Sequence, residues 1–122
     1  MWAGKAAEGL PWLEGALRFD RAQSNTALNL CIAYYFLGRY REAVEAGDRV
    51  LTRNPGRNIA LLGRPVLAAA YAQMGRDQDA EGERVIVMHL SPFFNARRFA
   101  AQFGTQEARD HLLEGLTMAG FR

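Results

Sequence analysis

From Ser24 to Leu37 the apolar residues recur with a helical period. Ala27, Leu30, Cys31, Tyr34 and Leu37 form one stripe about 100° wide. Gly38-Arg39 breaks that pattern, as glycine does at a helix C-terminus. A second helix is predicted from about Tyr40 to Thr52, with a small inward stripe of Ala43, Ala46, Gly47 and Val50. Asn54-Pro55-Gly56 ends it, because proline disfavours a helical residue before it and has no N–H to donate. The order then returns. A helix of open start runs to Met74, Gly75-Arg76 turns the chain, and a helix from about Asp77 to Leu90 stops at Ser91-Pro92. The run Val85-Ile86-Val87-Met88 reads alone as a buried strand, but its place in the repeating order assigns it to a helix. Further on, Pro92 to Phe103 is read as one helix anchored by Phe94, Phe99 and Phe103. Thr105 is an N-cap for a last helix whose stripe is Ala108, Leu112, Leu113 and Leu116, closed by Gly120.

The return of the pattern is a duplication displaced by 37 residues. Leu30, Ala33, Tyr34, Gly38, Arg39, Ala43, Val50 and Pro55 recur as Leu67, Ala70, Tyr71, Gly75, Arg76, Ala80, Val87 and Pro92. Self-similarity at a period of about 20–50 residues marks stacked supersecondary units. Upstream, Gly4, Glu8 and Leu17 match Gly38, Glu42 and Leu51 at an offset of 34. The chain is therefore expected to open at the turn inside a unit, with one helix over about Glu8 to Phe19 and Pro11 in its first turn. Three residues beyond a 34-residue unit fall between Gly56 and Arg64, and Pro65 sits either in a first helical turn or at a kink.

Each unit thus reads Leu, small residue, two others, Tyr, then Gly-Arg, then Ala on a second helix, with a closing proline. Carried by Leu30, Cys31, Tyr34, Gly38, Tyr40, Ala43, Val50 and Pro55, and again by Leu67, Ala68, Tyr71, Gly75, Ala80, Val87 and Pro92, this pattern resembles the tetratricopeptide repeat. Gly47 and Arg84 depart from it at a position usually aromatic, and Arg21 stands where a closing proline is usual. The resemblance implies an all-α, right-handed superhelical solenoid of antiparallel helix pairs with about seven helices. Residues 1–122 would form a single domain: a half-repeat at 4–23, repeats at 24–57 and 58–92, and a capping helix pair at 93–122. The tail from Leu90 through Arg97 and Phe99, with Arg109 to Leu116 and Ala119-Gly120, is also similar to the C-terminal repeat region of some bacterial class III adenylate or guanylate cyclases. That similarity implies a regulatory appendage of such a cyclase, because the chain is too short to hold a cyclase domain beside the repeats.

Composition narrows the function classes. Net charge is +2 and the charges are interspersed, with no basic stripe between stacking aromatics, so nucleic acid is not an expected partner. No apolar run reaches the roughly 18 residues that cross a bilayer. The single cysteine fits a reducing compartment, and Met1 to Lys5 lacks a secretory apolar region, so a cytoplasmic location and no membrane partner are expected.

No phosphate loop, metal spacing or nucleophile motif is present, which predicts a non-enzymatic protein without cofactor or metal. Cys31 occupies a small buried position, where a packed thiol is the simpler reading. His89 suits a helix C-terminal dipole, and with His111 it makes no metal pattern. Asp77, Asp79, Glu81 and Glu83 read as helix-start and solvated charges, and Arg97-Arg98 as surface charge.

One face exceeds this. Leu28, Ile32, Tyr35 and Phe36 lie opposite the stripe of their helix, so the helix is apolar all round and is either buried on every side or has a partner. On the tetratricopeptide resemblance that face lines a concave groove for a peptide or helix, with Asn25 and Arg39 beside it and Leu62, Ala69, Ala72 and Gln73 continuing it. The other reading fills the face with neighbouring helices or the capping helix. A rival function is self-association as a homodimer through Trp2, Leu10, Trp12, Leu13 and Leu17 of the opening helix.

Overall fold

The computed structural model describes residues 24–51 and 56–121. The opening helix, with Trp2, Leu10, Trp12, Leu13 and Leu17, lies outside the described residues, as does Asn54-Pro55. The described residues form an all-α structure of six helices: α1 (Ser24–Phe36), α2 (Tyr40–Leu51), α3 (Arg57–Gln73), α4 (Asp77–Leu90), α5 (Ala96–Ala100) and α6 (Gln106–Met118). The run from Val85 to Met88 is helical, in keeping with its repeat position.

The duplication is visible in the turns. Gly38 and Gly75 both adopt φ of 76°, a left-handed conformation that glycine enters without the Cβ penalty. The next N–H reaches back over each turn, from Arg39 to the Tyr34 carbonyl and from Arg76 to the Tyr71 carbonyl, at 2.9 Å in both. Each arginine then lays its guanidinium 4.8 Å above the ring of that tyrosine. Each also pairs with a carboxylate three residues on, Arg39 with Glu42 and Arg76 with Asp79. Both hairpins, α1–α2 and α3–α4, are therefore closed by the same local chemistry.

Packing follows from small residues at the helix contacts. Ala43, Ala46, Gly47 and Val50 of α2 are buried as a stripe. A Cβ added at Gly47 would lie 3.0 Å from Leu67 and 3.2 Å from the Cys31 sulfur, so the bare backbone is what lets α2 approach α1 and α3 together. The centre of α3 is enclosed: Ala68, Ala69 and Ala70 have no exposed surface. Two side-chain links close the α3–α4 hairpin. Arg64 pairs with Glu83 at 2.8 Å, and Arg57 donates to the Leu90 carbonyl at the end of α4.

Two expectations are corrected, and one left open is narrowed. Pro65 lies in the middle of α3, which excludes a first helical turn, and the three extra residues are taken up as helix. Lacking an N–H it removes one bond to the preceding turn, and neighbours on every side hold the helix together there. The helix read over Pro92 to Phe103 is reduced to α5. Pro92 and Phe93 form a turn, and helix resumes only where the Asn95 side chain accepts from the Arg98 N–H. Leu37, read as the end of the core stripe, falls in the turn after α1 and is exposed.

The α2 contact predicts that Gly47→Leu overpacks the α1–α2–α3 junction. Its expected cost is about 1–3 kcal/mol, seen as a lower urea midpoint with an unchanged slope.

Candidate functional site

The second face of the all-round apolar α1 is covered by α6 over Tyr35 and Phe36, and by α3 where Leu28 meets Gly63. Tyr35, fully buried, donates its hydroxyl to the backbone carbonyl of His111 at 2.8 Å. It reaches the backbone of α6 because Gly115, one turn on, has no side chain. A Cβ there would stand 2.3 Å from the Tyr35 oxygen and 2.8 Å from the Ala69 Cβ. Ala108, Leu112, Gly115 and Leu116 are the buried residues of α6, and Leu113 is partly buried. Thr105 caps the helix, accepting from the Ala108 N–H at 3.1 Å, and Gly120 turns the chain beyond its end at φ 99°.

His111 is the polar centre of this contact. Its ring stacks on Tyr35 at 4.7 Å, meets Phe36 and Tyr40 edge-on, and shares a 2.7 Å hydrogen bond with the Tyr40 hydroxyl through Nε2. Gln73 of α3 reaches the Tyr35 hydroxyl at 3.4 Å. Burial holds the His111 pKa below its ordinary value, against the opposing charge of Glu114. Burial also raises the pKa of Tyr35 and of Tyr40. Below this cluster a chain of rings runs from Phe36 through Phe103 and Phe99 to Phe94 and Phe121, tying α1 to α5 and to the end of α6.

The residues read as a groove are therefore distributed differently. Tyr35, Phe36, Ala69 and Gln73 are brought together under α6, with Tyr35 and Ala69 fully buried and Phe36 and Gln73 partly exposed. Ile32 and Ala72 are buried in the core, Leu62 is partly buried, and Leu28 packs against Gly63 of α3. Arg39 lies over the Tyr34 ring and pairs with Glu42, with its side chain still 46% exposed. Asn25 belongs to α1, and its side chain lies outside the described residues. The reasoning from sequence missed Tyr40, His111 and Gly115 as members of this contact. The one signal for them was a glycine set between Leu112 and Leu116 in an apolar stripe.

The other candidates have structural places. Cys31 is fully buried, and burial with the nearby Asp48 charge pushes its thiol pKa up to about 12, which removes thiolate reactivity. Glu83 and Asp79 are held in ion pairs, and Glu81 stands 3.8 Å from Arg84. Among the described residues no group of three His, Cys, Asp or Glu is placed to hold a metal ion, and no helix is long and apolar enough to cross a membrane. An open cleft of about 620 Å³ lies between α4 and the end of α6, floored by Met88, Phe94 and Phe121 and rimmed by Asp77, Glu81 and Arg84. No protein-family model matches the chain, and no curated protein is significantly similar to it.

The lowered His111 pKa sets a pH dependence. The unfolded chain binds this proton more readily than the folded one, so the contribution is complete above the ordinary histidine value of about 6.5. It is lost as pH falls from there toward the folded value. The raised Glu83 and Asp48 carboxyls act in the opposite sense, so the check is the difference in urea stability between the unaltered protein and His111→Gln. That difference should move against the unaltered protein as pH falls from about 7.5 to about 5.5.

Proposed function

We propose that this chain is a non-enzymatic protein–protein interaction module. Its two hairpins are read as tetratricopeptide units in a right-handed solenoid, with the α1/α3 face as the concave surface that receives an amphipathic helix. The observation that carries this reading is α6 itself: the face accepts a helix across it, in a seat built from Tyr35, Ala69, Gln73 and Tyr40. The seat specifies its occupant. A ligand helix needs a glycine where Tyr35 and Ala69 leave no room for a Cβ, and a leucine on each side of it, as Leu112 and Leu116 stand in α6. Tyr35 contributes recognition of backbone there, since its hydroxyl pairs with a main-chain carbonyl.

In this chain α6 competes with any external helix for the seat, and loosening it is the route to measurable binding. Gly115→Leu should push α6 from α1 and α3 at a cost of about 1–3 kcal/mol. A fluorescent peptide of residues 106–118 should then bind the variant in an anisotropy titration, while the unaltered protein binds it at least about tenfold more weakly. Adding Tyr35→Ala and Phe36→Ala should abolish that binding. A Gly115→Leu protein that keeps its helical circular dichroism yet takes up no peptide would remove the helix-receiving role.

A further inference from the structure

The end of α1 and the start of α2 bring three rings to one corner of the seat. Tyr35 and Phe36 close α1, and Tyr40 opens α2 on the far side of the Gly38 turn. The Tyr35 centroid lies 5.6 Å from that of Phe36 and 5.3 Å from that of Tyr40. His111 enters this corner from α6, stacked on Tyr35 at 4.7 Å, with Phe36 at 6.1 Å and Tyr40 at 6.0 Å. The two hydroxyls have different tasks. Tyr35 donates to the His111 carbonyl, a main-chain contact that any residue could supply. Tyr40 meets the ring itself, 2.7 Å from Nε2. Burial favours the neutral imidazole, and its tautomer protonated on Nδ1 offers Nε2 as the acceptor for the Tyr40 hydroxyl. The other unit supplies an internal comparison. In the 37-residue register Tyr35, Phe36 and Tyr40 correspond to Ala72, Gln73 and Asp77, yet Gly75 turns that hairpin at the same φ of 76°. Closing a hairpin therefore does not require the aromatic corner.

We propose that this corner is a specificity pocket for histidine. Among helices able to enter the α1/α3 seat, it selects those with a histidine four residues before the glycine, and Tyr40 is the selecting residue. The inference rests on the helix-receiving role proposed above and narrows the partner it admits. The spacing follows from α6, where His111 and Gly115 stand one turn apart on the same face of the helix. Joined to the flanking leucines, the occupant reads His-Leu, two residues of any kind, then Gly-Leu, as residues 111–116 do. The chemistry separates histidine from other residues at that place. Alanine loses the stacking on Tyr35. Phenylalanine keeps a ring of similar shape but leaves the Tyr40 hydroxyl without the Nε2 acceptor it has in α6. Shape alone thus admits any aromatic side chain, and the one hydroxyl makes the distinction.

Anisotropy titration of the Gly115→Leu protein with two fluorescent peptides of residues 106–118, one unaltered and one carrying His111→Phe, tests this. The unaltered peptide should bind about threefold to tenfold more tightly, the worth of one neutral hydrogen bond. Adding Tyr40→Phe to the protein should bring the two peptides within about twofold of each other, since the group that tells them apart is gone. A preference that survives Tyr40→Phe would overturn histidine selection and leave the helix-receiving role standing. Equal binding of both peptides by the Gly115→Leu protein, or tighter binding of the His111→Phe peptide, would do the same. Binding of neither peptide would remove that role and the selection with it. Urea unfolding of the full chain supplies a second measurement, through Tyr40→Phe, His111→Phe and the two combined. The pair should be non-additive, and additive effects would overturn the proposal whatever the peptides do.

Discussion

A helix that is apolar on every side cannot stand at a surface, and α1 imposes that constraint on the whole fold. Its first stripe, through Leu30, Cys31 and Tyr34, is buried within the hairpins. Its second, through Leu28, Ile32 and Tyr35, needs another cover. Gly63 offers Leu28 a close seat on α3, and α6 closes over Tyr35. The cover is achieved by subtraction of side chains. Gly47, Gly63 and Gly115 each sit where a large neighbour from another helix comes within van der Waals reach of the backbone. Large residues on α1 and α3 are thus matched by absences on the helices around them.

The turns show a second economy. Tyrosine, glycine, arginine and carboxylate form one local device, used at Tyr34 to Glu42 and again at Tyr71 to Asp79 with equal ring-to-guanidinium distances. The glycine admits the left-handed residue, the returning N–H satisfies a carbonyl at the helix end, and the arginine covers the tyrosine that the reversal leaves near solvent. None of these contacts spans more than about two helical turns, so each hairpin closes from information carried within itself. What remains for tertiary packing is to orient one hairpin on the other.

This division explains what was legible in the sequence. Helix positions, the turn glycines, the α2 stripe and the Thr105 cap are local properties, and periodicity reports them. The duplication resolved the one ambiguous run, Val85 to Met88, because Val87 had to play the part of Val50. The α6 seat was not legible, since its hydrogen bonds join residues 71 and 76 positions apart, and no spacing rule connects Tyr40 or Tyr35 with His111. The pattern showed that α1 had a second apolar face but left open what would cover it. Pro92 defeated the periodicity reading of the tail, where three phenylalanines suggested one long helix and a proline turn with an Asn95 cap produced a short one. Pro65 was the opposite case: a residue that usually ends a helix lies inside one whose enclosed middle holds it in place.

The three consecutive alanines at the middle of α3 carry a consequence for how this chain can diverge. Ala68, Ala69 and Ala70 are fully enclosed, and Val66, Leu67 and Ala72 beside them are each only 1% exposed. Any lineage that enlarges one of these residues must change a facing helix at the same time, so this segment should drift slowly and through paired replacements. Exposed positions of α2 such as Arg41 and Glu45, by contrast, face no buried neighbour and can vary one at a time. Relatives of this protein would be recognised first by that alanine run and last by their outer charges.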